Sequence, residues 1–154
     1  MPGSIICGVD DSEVADGAAR VARGLSRKLG LDLVFVRVTD EGTSPETYDA
    51  LAERLDRLTH EDRDLDSSAA WLVEVGHPAD RLVAAAADAD ASMIVVGSHG
   101  PRSSLLGSIS AEVSRRAPCP VVVVPPGAEN GLDDDRLAAG VTNAGGIVRF
   151  DLGS

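Results

Sequence analysis

The sequence predicts a single doubly wound α/β domain, in which helices cover both faces of a five-stranded parallel sheet. Five short apolar runs show no polar alternation, as expected of strands that are buried on both faces. Segments with apolar residues three and four positions apart separate these runs, as expected of helices that pack on a sheet. Because strand and helix alternate strictly along the chain, the sheet is predicted to be parallel and its crossovers right-handed.

The predicted elements follow one another along most of the 154 residues. Strands are expected at the five apolar runs, residues 4–9, 31–38, 69–75, 92–96 and 120–124. Helices are expected in the segments between them, residues 10–30, 44–58, 79–89 and 108–116. A chain of this length fits one domain with a sizeable buried core.

Residues at the ends of these segments support the helix assignments. Ser44 is an N-cap candidate, because a serine side chain accepts a hydrogen bond from a free amide of the first turn. Pro45 then stands in the first turn, where its missing N–H has no helical partner to lose. Gly30 follows the first helix as expected of a C-cap, and Pro118 ends the last helix.

The charge and the absence of long apolar runs limit the classes of partner. The formal net charge is −11 at pH 7, which argues against nucleic acid because phosphates are bound chiefly through Lys and Arg. No apolar run approaches the roughly 20 residues that span a bilayer, so no membrane partner is expected and a cytoplasmic location is predicted.

Cysteine and histidine usage predicts neither a disulfide nor a metal site. Cys7 and Cys119 are the two cysteines, and each lies in or beside an apolar run, which favours reduced thiols. His60, His77 and His99 are far apart and no Cys-x-x-Cys occurs, so none of the usual spacings of tetrahedral ligands is present.

The stretch 97–110 (GSHGPRSSLLGSIS) is the first candidate functional segment. Ligands of open α/β sheets bind beyond the carboxyl ends of the strands, where the winding direction reverses. Asp10 follows the first strand and Gly97 ends the fourth, so both would flank one crevice if these strands are neighbours. Gly107 and Ser108 open the following helix, whose free amides favour an anion such as phosphate. On composition alone, a plain strand-to-helix connection is the alternative.

Longer motifs resemble the universal stress protein family over residues 4–125. They are CGVDDSEVADGAARVA at the start, VVGSHG and LLGSIS around the glycine-rich stretch, and RRAPCPVVVVP near the end. The resemblance implies an adenine nucleotide alpha hydrolase-like fold in residues 1–125, with residues 126–154 as a C-terminal tail. It also implies a stress-response protein that commonly forms a homodimer and either binds ATP or works without a nucleotide.

The resemblance further implies a binding site for ATP or another adenine nucleotide. Asp10 matches the residue whose carboxylate reaches the ribose, and Val38 matches the residue whose backbone meets adenine. Val96 and Gly97 are expected to line the base and the ribose. The other matched positions are expected at the phosphates: Gly100, Gly107, Ser108, Ile109 and Ser110. Mg²⁺ is expected to help, because the chain itself is strongly negative.

The glycine-rich loop is shorter than the family pattern. ATP-binding relatives carry Gly-x-x-Gly, nine residues and then Gly-Ser or Gly-Thr, whereas the six residues PRSSLL separate Gly100 from Gly107 here. Seven extended steps could still span about 23 Å, enough to reach across a triphosphate. Pro101 removes one backbone donor. We therefore expect ATP to gain less over AMP than in a relative with nine loop residues.

Three functions stay open from the sequence. The first is a nucleotide-binding regulatory protein in which ATP changes the conformation or the choice of an unknown partner protein. The second is a nucleotide-independent interaction module with the same fold and dimer. The third, a hydrolase with His99 as a base near Ser108, ranks below them because no third orienting residue is visible. At most slow ATP hydrolysis is expected.

The last strand and the tail carry the prediction about assembly. An apolar edge strand is a template for pairing, so Val121–Val124 is predicted to pair with its copy in a homodimer. The tail opens with a linker-like Pro-Pro-Gly and closes with GGIVRFDL, which is expected to form one more strand or a packed extension.

Overall fold

A computed structural model of the chain describes residues 3–10, 13–60, 69–98, 108–125, 141–144 and 147–150. Strands and helices alternate as β1 (Ser4–Gly8), α1 (Glu13–Leu29), β2 (Asp32–Thr39), α2 (Pro45–His60), β3 (Ala69–Val75), α3 (Pro78–Asp88), β4 (Met93–Gly97), α4 (Ser108–Arg116) and β5 (Val121–Val124). Two further strands follow, β6 (Val141–Ala144) and β7 (Ile147–Phe150). The nine elements predicted from the sequence are confirmed, with ends shifted by a few residues.

The strands form one sheet in the order β3-β2-β1-β4-β5-β7-β6. The first five strands in this order pair in parallel throughout, which confirms the predicted five-stranded parallel sheet. The chain winds outward from β1 to β3 and then returns to the other side of β1 to form β4 and β5. The winding direction therefore reverses between β1 and β4, and the strands that precede Asp10 and end at Gly97 are neighbours, as the expected crevice requires.

The helices divide between the two faces of the sheet, as this reversal requires. Residues of α1 and α2 pack with Phe35 and its neighbours on one face. Leu82 of α3 and Val113 of α4 pack with Ile94 on the other face. Within the described parts of the chain, no helix is both long and apolar enough to cross a membrane.

Ser44 and Gly30 cap the helices at the ends where the sequence predicts a cap. The N–H of Thr47 donates to Ser44 Oγ at 3.2 Å, which caps α2. Gly30 has a φ of +66°, a left-handed conformation that glycine adopts without a side-chain clash. The N–H of Leu31 then reaches back to the carbonyl of Ser26 at 3.1 Å, the hydrogen bond that closes a Schellman motif.

Both cysteines are free thiols. Burial raises the pKa of the Cys7 thiol to about 12, and the opposing charge of Arg23 lowers it by less. Burial also raises the pKa of Cys119. Because the thiolate is the nucleophile and the metal ligand, neither side chain is activated for such chemistry at neutral pH.

The tail adds two strands to the sheet beyond the five that were predicted. β7 pairs with β5 in parallel, and β6 pairs with β7 antiparallel. The sequence analysis leaves open one more strand or a packed extension for this tail, and the structure describes two strands in it. β7 occupies the edge of β5 that the sequence analysis assigns to a second copy of the chain. A homodimer through β5 therefore stays a prediction for a chain whose β7 has left this edge.

Candidate functional site

Asp10 lies where the winding direction reverses. β1 pairs with β2 on one side and with β4 on the other, placing Cys7 opposite both Phe35 and Val95. The N–H of Val9 continues this pairing past the end of β1 by donating to the carbonyl of Val36 at 3.0 Å. Asp10 is the next residue, and it is exposed. Asp10 therefore lies at the carboxyl edge of the sheet, at the end of the strand that separates β2 from β4.

Apolar side chains of the neighbouring strands lie beneath this edge. Val96 is buried, and Val38 packs half-buried against the same apolar cluster on the α3 and α4 face. Gly97 ends β4 opposite Val124 of β5, and the N–H of Ser98 continues the pairing to the Val124 carbonyl at 2.9 Å. The edge thus combines a carboxylate, an apolar wall and a strand end without a side chain.

The N-terminus of α4 lies at the same edge, because α4 follows β4 and packs back along the sheet toward β5. Val113 is fully buried and fixes the helix against the sheet. Ser108 and Ile109 are exposed, whereas Ser110 is 2% exposed. The first turn contains no acidic residue. Its amide groups lack acceptors within the helix and carry the positive end of the helix dipole, so this end of α4 suits an anion.

The structure brings together most of the described residues that the sequence analysis selects. Asp10, Val38, Val96 and Gly97 lie on three adjacent strands at one edge. Ser110 is buried, so its side chain is not exposed at this edge. The loop residues that were assigned to the phosphates or to catalysis lie outside the described residues: His99, Gly100 and Gly107.

Gly8 is a site-supporting residue that the sequence analysis did not single out. A Cβ atom at this position would lie 3.0 Å from Leu82 Cδ1 and 3.4 Å from Val96 Cγ1. Glycine therefore lets α3 pack closely on β1, directly beneath the edge that carries Asp10. The signal for this role was its place in CGVD, two residues before the carboxylate.

A solvent-open cleft with a cavity volume of only about 10 Å³ lies beside Asp10 on the face that α1 and α2 cover. Its lining residues are Val9, Asp10, Arg37, Leu51, Arg54, Leu55 and Leu58. Ligand pockets for small molecules usually measure about 300–1,000 Å³. The cleft is thus too small to enclose a nucleotide, and the open edge between β1, β4 and α4 is the better candidate site.

A second group of polar side chains joins α3 to α4. His77 Nδ1 lies 4.0 Å from Asp80 Oδ2, and His77 Nε2 lies 3.9 Å from Glu112 Oε2. Arg116 Nη1 donates to the other oxygen of each carboxylate, at 3.0 Å for Glu112. The histidine and the two carboxylates are types of residue that bind metal ions, with ligand atoms within 4.8 Å of one another. Arg116 already balances the carboxylates, so we interpret the group as an ion-pair cluster between helices.

Replacing Arg116 with glutamine is expected to raise the pKa of Asp80. The hydrogen bond from Arg116 is the main cause that holds this pKa below its ordinary value of 3.8. A depressed carboxyl pKa stabilises the fold above the ordinary value, and this contribution is lost as the pH falls through the folded-state pKa. The stabilities of R116Q and the parent should therefore differ at neutral pH and converge in acid.

An NMR titration of the Asp80 carboxyl carbon measures this shift directly. R115Q is the matched control, because it removes the same charge from the neighbouring, exposed position of α4. An Asp80 pKa that moves equally in both variants would mean that the general charge of α4, rather than the Arg116 hydrogen bond, sets it.

Comparison with known sequences identifies the family. The universal stress protein family matches residues 1–125. A universal stress protein of Mycobacterium tuberculosis is 35% identical over 130 residues, which cover 79% of this chain and 47% of the relative. The chain thus spans about half the length of that relative. A universal stress protein of Thermus aquaticus is 32% identical over 134 residues, covering 79% of this chain and 97% of the relative.

Solved structures share the architecture. A universal stress protein from Archaeoglobus fulgidus superposes with a TM-score of 0.69 at 26% identity, covering 80% of this chain and 99% of that chain. A universal stress protein from the same organism in complex with dAMP gives a TM-score of 0.66 at 26% identity, covering 79% and 97%. A family protein from Burkholderia pseudomallei gives 0.62 at 30% identity, covering 79% and 96%. By its sequence and by the fold of its five parallel strands, this chain belongs to the universal stress protein family.

Proposed function

We propose that this chain is a stress-response regulatory protein that binds ATP or another adenine nucleotide at the edge between β1 and β4. The observation that carries the proposal is the convergence of Asp10, Val38, Val96 and Gly97 at the reversal of winding, where open α/β sheets bind their ligands. The dAMP complex of the Archaeoglobus fulgidus protein supports an adenine nucleotide as the ligand class. A cytoplasmic location remains a prediction.

The strand ends are suited to the adenosine part of the ligand. A carboxylate such as Asp10 accepts hydrogen bonds from hydroxyl groups, and the two ribose hydroxyls are donors that it can hold. Val38 and Val96 give the base an apolar surface, and the backbone groups after β2 can pair with the polar edge of adenine. Gly97 leaves room for the sugar to approach the backbone.

The first turn of α4 is suited to the phosphates. The amides of Ser108, Ile109 and Ser110 point out of the helix end, and the Ser108 hydroxyl is exposed beside them. Gly100 and Gly107 would add close backbone contacts from the loop. Because the chain carries a formal net charge of −11, Mg²⁺ bound to the phosphates would reduce the repulsion of a triphosphate.

A nucleotide bound at this edge would change the surface that the protein presents to a partner. The ligand would bridge β1, β2, β4 and α4, whose connecting loops form the carboxyl edge of the sheet. Ordering these loops changes the surface that a partner protein meets, which is how a small ligand can select a partner. Hydrolysis of ATP is not required for this function.

Titration calorimetry on ligand-free protein with AMP, ADP and ATP, each with and without Mg²⁺, tests the proposal. We expect all three nucleotides to bind, because the adenosine contacts are common to them. We expect ATP to gain less over AMP than it does in a relative with nine loop residues. Each hydrogen bond to a charged group contributes about 1.5–3 kcal/mol, so one lost donor weakens ATP by about tenfold or more.

The possible results separate the functions. The absence of heat with any of the three nucleotides would contradict the proposal and support the nucleotide-independent interaction module. A large preference for ATP would show that PRSSLL forms its own phosphate site, and R102A should then remove the preference because Arg102 is the basic residue of this loop.

A further inference from the structure

The hairpin of β6 and β7, here called the tail hairpin, extends the sheet beyond β5. β7 lies parallel to β5, with Val122 opposite Val148 and Val123 opposite Arg149. β6 forms the outer strand and pairs with β7 antiparallel, so two residues connect them. β7 is therefore an internal strand with a partner on each side.

The tail hairpin lies outside the part of the chain that relatives share. The family match ends at residue 125. The Archaeoglobus fulgidus protein aligns over 99% of its own length but covers 80% of this chain. The shared unit thus ends with β5, which becomes an edge strand wherever the hairpin is missing or undocked.

The edge of β5 is a strong template for strand pairing. Its residues are four consecutive valines, each between 1% and 4% exposed in the folded chain. None carries a charge or is proline, the two common devices that stop edge strands from pairing with another chain. Without β7, the backbone groups on the outer side of β5 would have water as their partner.

A second copy of this chain is a suitable alternative partner for that edge. Two copies related by a twofold axis bring the same strand together antiparallel, so one contact satisfies both open edges at once. The apolar layers on both faces of each sheet would then continue across the contact. The tail hairpin and a second copy cannot pair with the same side of β5 at the same time.

We propose that the tail hairpin and a second copy of this chain compete for the edge of β5. With the hairpin docked, the chain is a monomer; with the hairpin released, two copies join through β5. Any event that binds or removes residues 141–150 would thereby control assembly. This inference rests on the strand pairing alone and does not depend on nucleotide binding.

A proline in β7 tests the competition. V148P removes a backbone donor from the middle of β7, and proline is not tolerated in an internal strand. Sedimentation velocity over about a hundredfold range of concentration should show a monomer for the parent chain and a dimer for V148P. We expect the dissociation constant of the dimer to fall by at least about tenfold. L152P, a proline outside both strands, is the matched control and should behave as the parent.

Hydrogen exchange at Val121–Val124 locates the contact. In the V148P dimer these amides should remain protected as in the parent, because the second copy replaces β7. A V148P chain that stays monomeric, or a dimer in which these amides exchange rapidly, would overturn the proposal. So would a parent chain that already forms a dimer as tight as that of V148P.

A second variant covers the case in which V148P fails to fold. Two-residue hairpin turns need positive φ angles, which glycine adopts and β-branched residues avoid. The double variant G145V/G146V changes only the two residues that connect β6 to β7 in the sequence, so we expect it to weaken the tail hairpin without changing the residues of either strand or of β5. It should dimerise in the same way, and a monomer at all concentrations would contradict the competition.

Discussion

Replacing Phe35 with alanine should lower the free energy of unfolding by about 3–5 kcal/mol, the usual cost of removing a fully buried phenylalanine. Phe35 is fully buried at the centre of the α1 and α2 face, in register with Cys7 of β1 and Trp71 of β3. The guanidinium carbon of Arg23 lies 5.7 Å from the centre of its ring. The chain has two phenylalanines, one tryptophan and one tyrosine, so few other large side chains are available to fill the cavity.

The contact with Arg23 adds to the free energy that is lost when the Phe35 ring is removed. Its guanidinium also donates to the carbonyl of Leu58 at 2.9 Å, which ties α1 to the last turn of α2. The arginine is 8% exposed, so its contacts with the aromatic ring and with the carbonyl replace part of the hydration that its charge loses. Removing the ring leaves a largely desolvated cation with one favourable neighbour fewer.

Urea unfolding followed by circular dichroism measures the loss. F35L should cost less than about 1.5 kcal/mol, because it keeps most of the apolar volume. L72A is the surface control: Leu72 is 44% exposed on the edge strand β3, and its removal should change stability by no more than about 0.5 kcal/mol. A cost below about 1 kcal/mol for F35A would mean that Phe35 is not at the centre of the core.

The sequence predicts the strands and helices of the parallel sheet because these elements rest on local patterns. A buried parallel strand needs a largely apolar run, and SIICGV, LDLVFVRV and PVVVV supply one each. Ser44 and Gly30 mark helix ends through hydrogen bonds and backbone angles that depend on a few neighbouring residues. The position of Asp10 and Gly97 at one edge then follows from the order of the strands alone.

Contacts between distant segments could not be predicted in the same way. The cluster of His77, Asp80, Glu112 and Arg116 depends on how α3 packs against α4, and no periodic pattern encodes that crossing. At the start of α2, residues 45–50 are all exposed, and Tyr48 among them is 44% exposed even though tyrosine has a large apolar ring.

The tail hairpin is an intermediate case. The sequence VTNAGGIVRF carries a recognisable signal, two apolar segments around Gly-Gly, which is typical of a two-residue hairpin. The sequence analysis considered the second segment alone. Pairing of that segment with β5 could not be derived, because any exposed strand edge offers the same backbone groups.

Replacing Asp10 with alanine is expected to weaken AMP, ADP and ATP by the same factor, about 10- to 100-fold. The proposed contact is to the ribose, which the three nucleotides share, and a hydrogen bond to a charged group contributes about 1.5–3 kcal/mol. Asp10 is exposed at the end of a strand rather than packed in the core, so the substitution should leave the fold intact. Titration calorimetry gives the three affinities, and D88A is the matched control: Asp88 is exposed at the last residue of α3, at the opposite edge of the sheet.

The pattern across the three nucleotides carries more information than the size of the loss. A ribose contact removes equal binding free energy from each ligand, so the ratio of the ATP and AMP affinities should be the same in D10A and in the parent. Loss of a bound Mg²⁺ or of a phosphate contact would instead weaken ATP more than AMP. Unchanged affinities in D10A would mean that Asp10 is not part of the site and acts at the start of α1 instead. An equal loss of affinity in D88A would mean that net charge, rather than a ribose contact, causes the loss. Each variant removes one negative charge from a chain of formal charge −11.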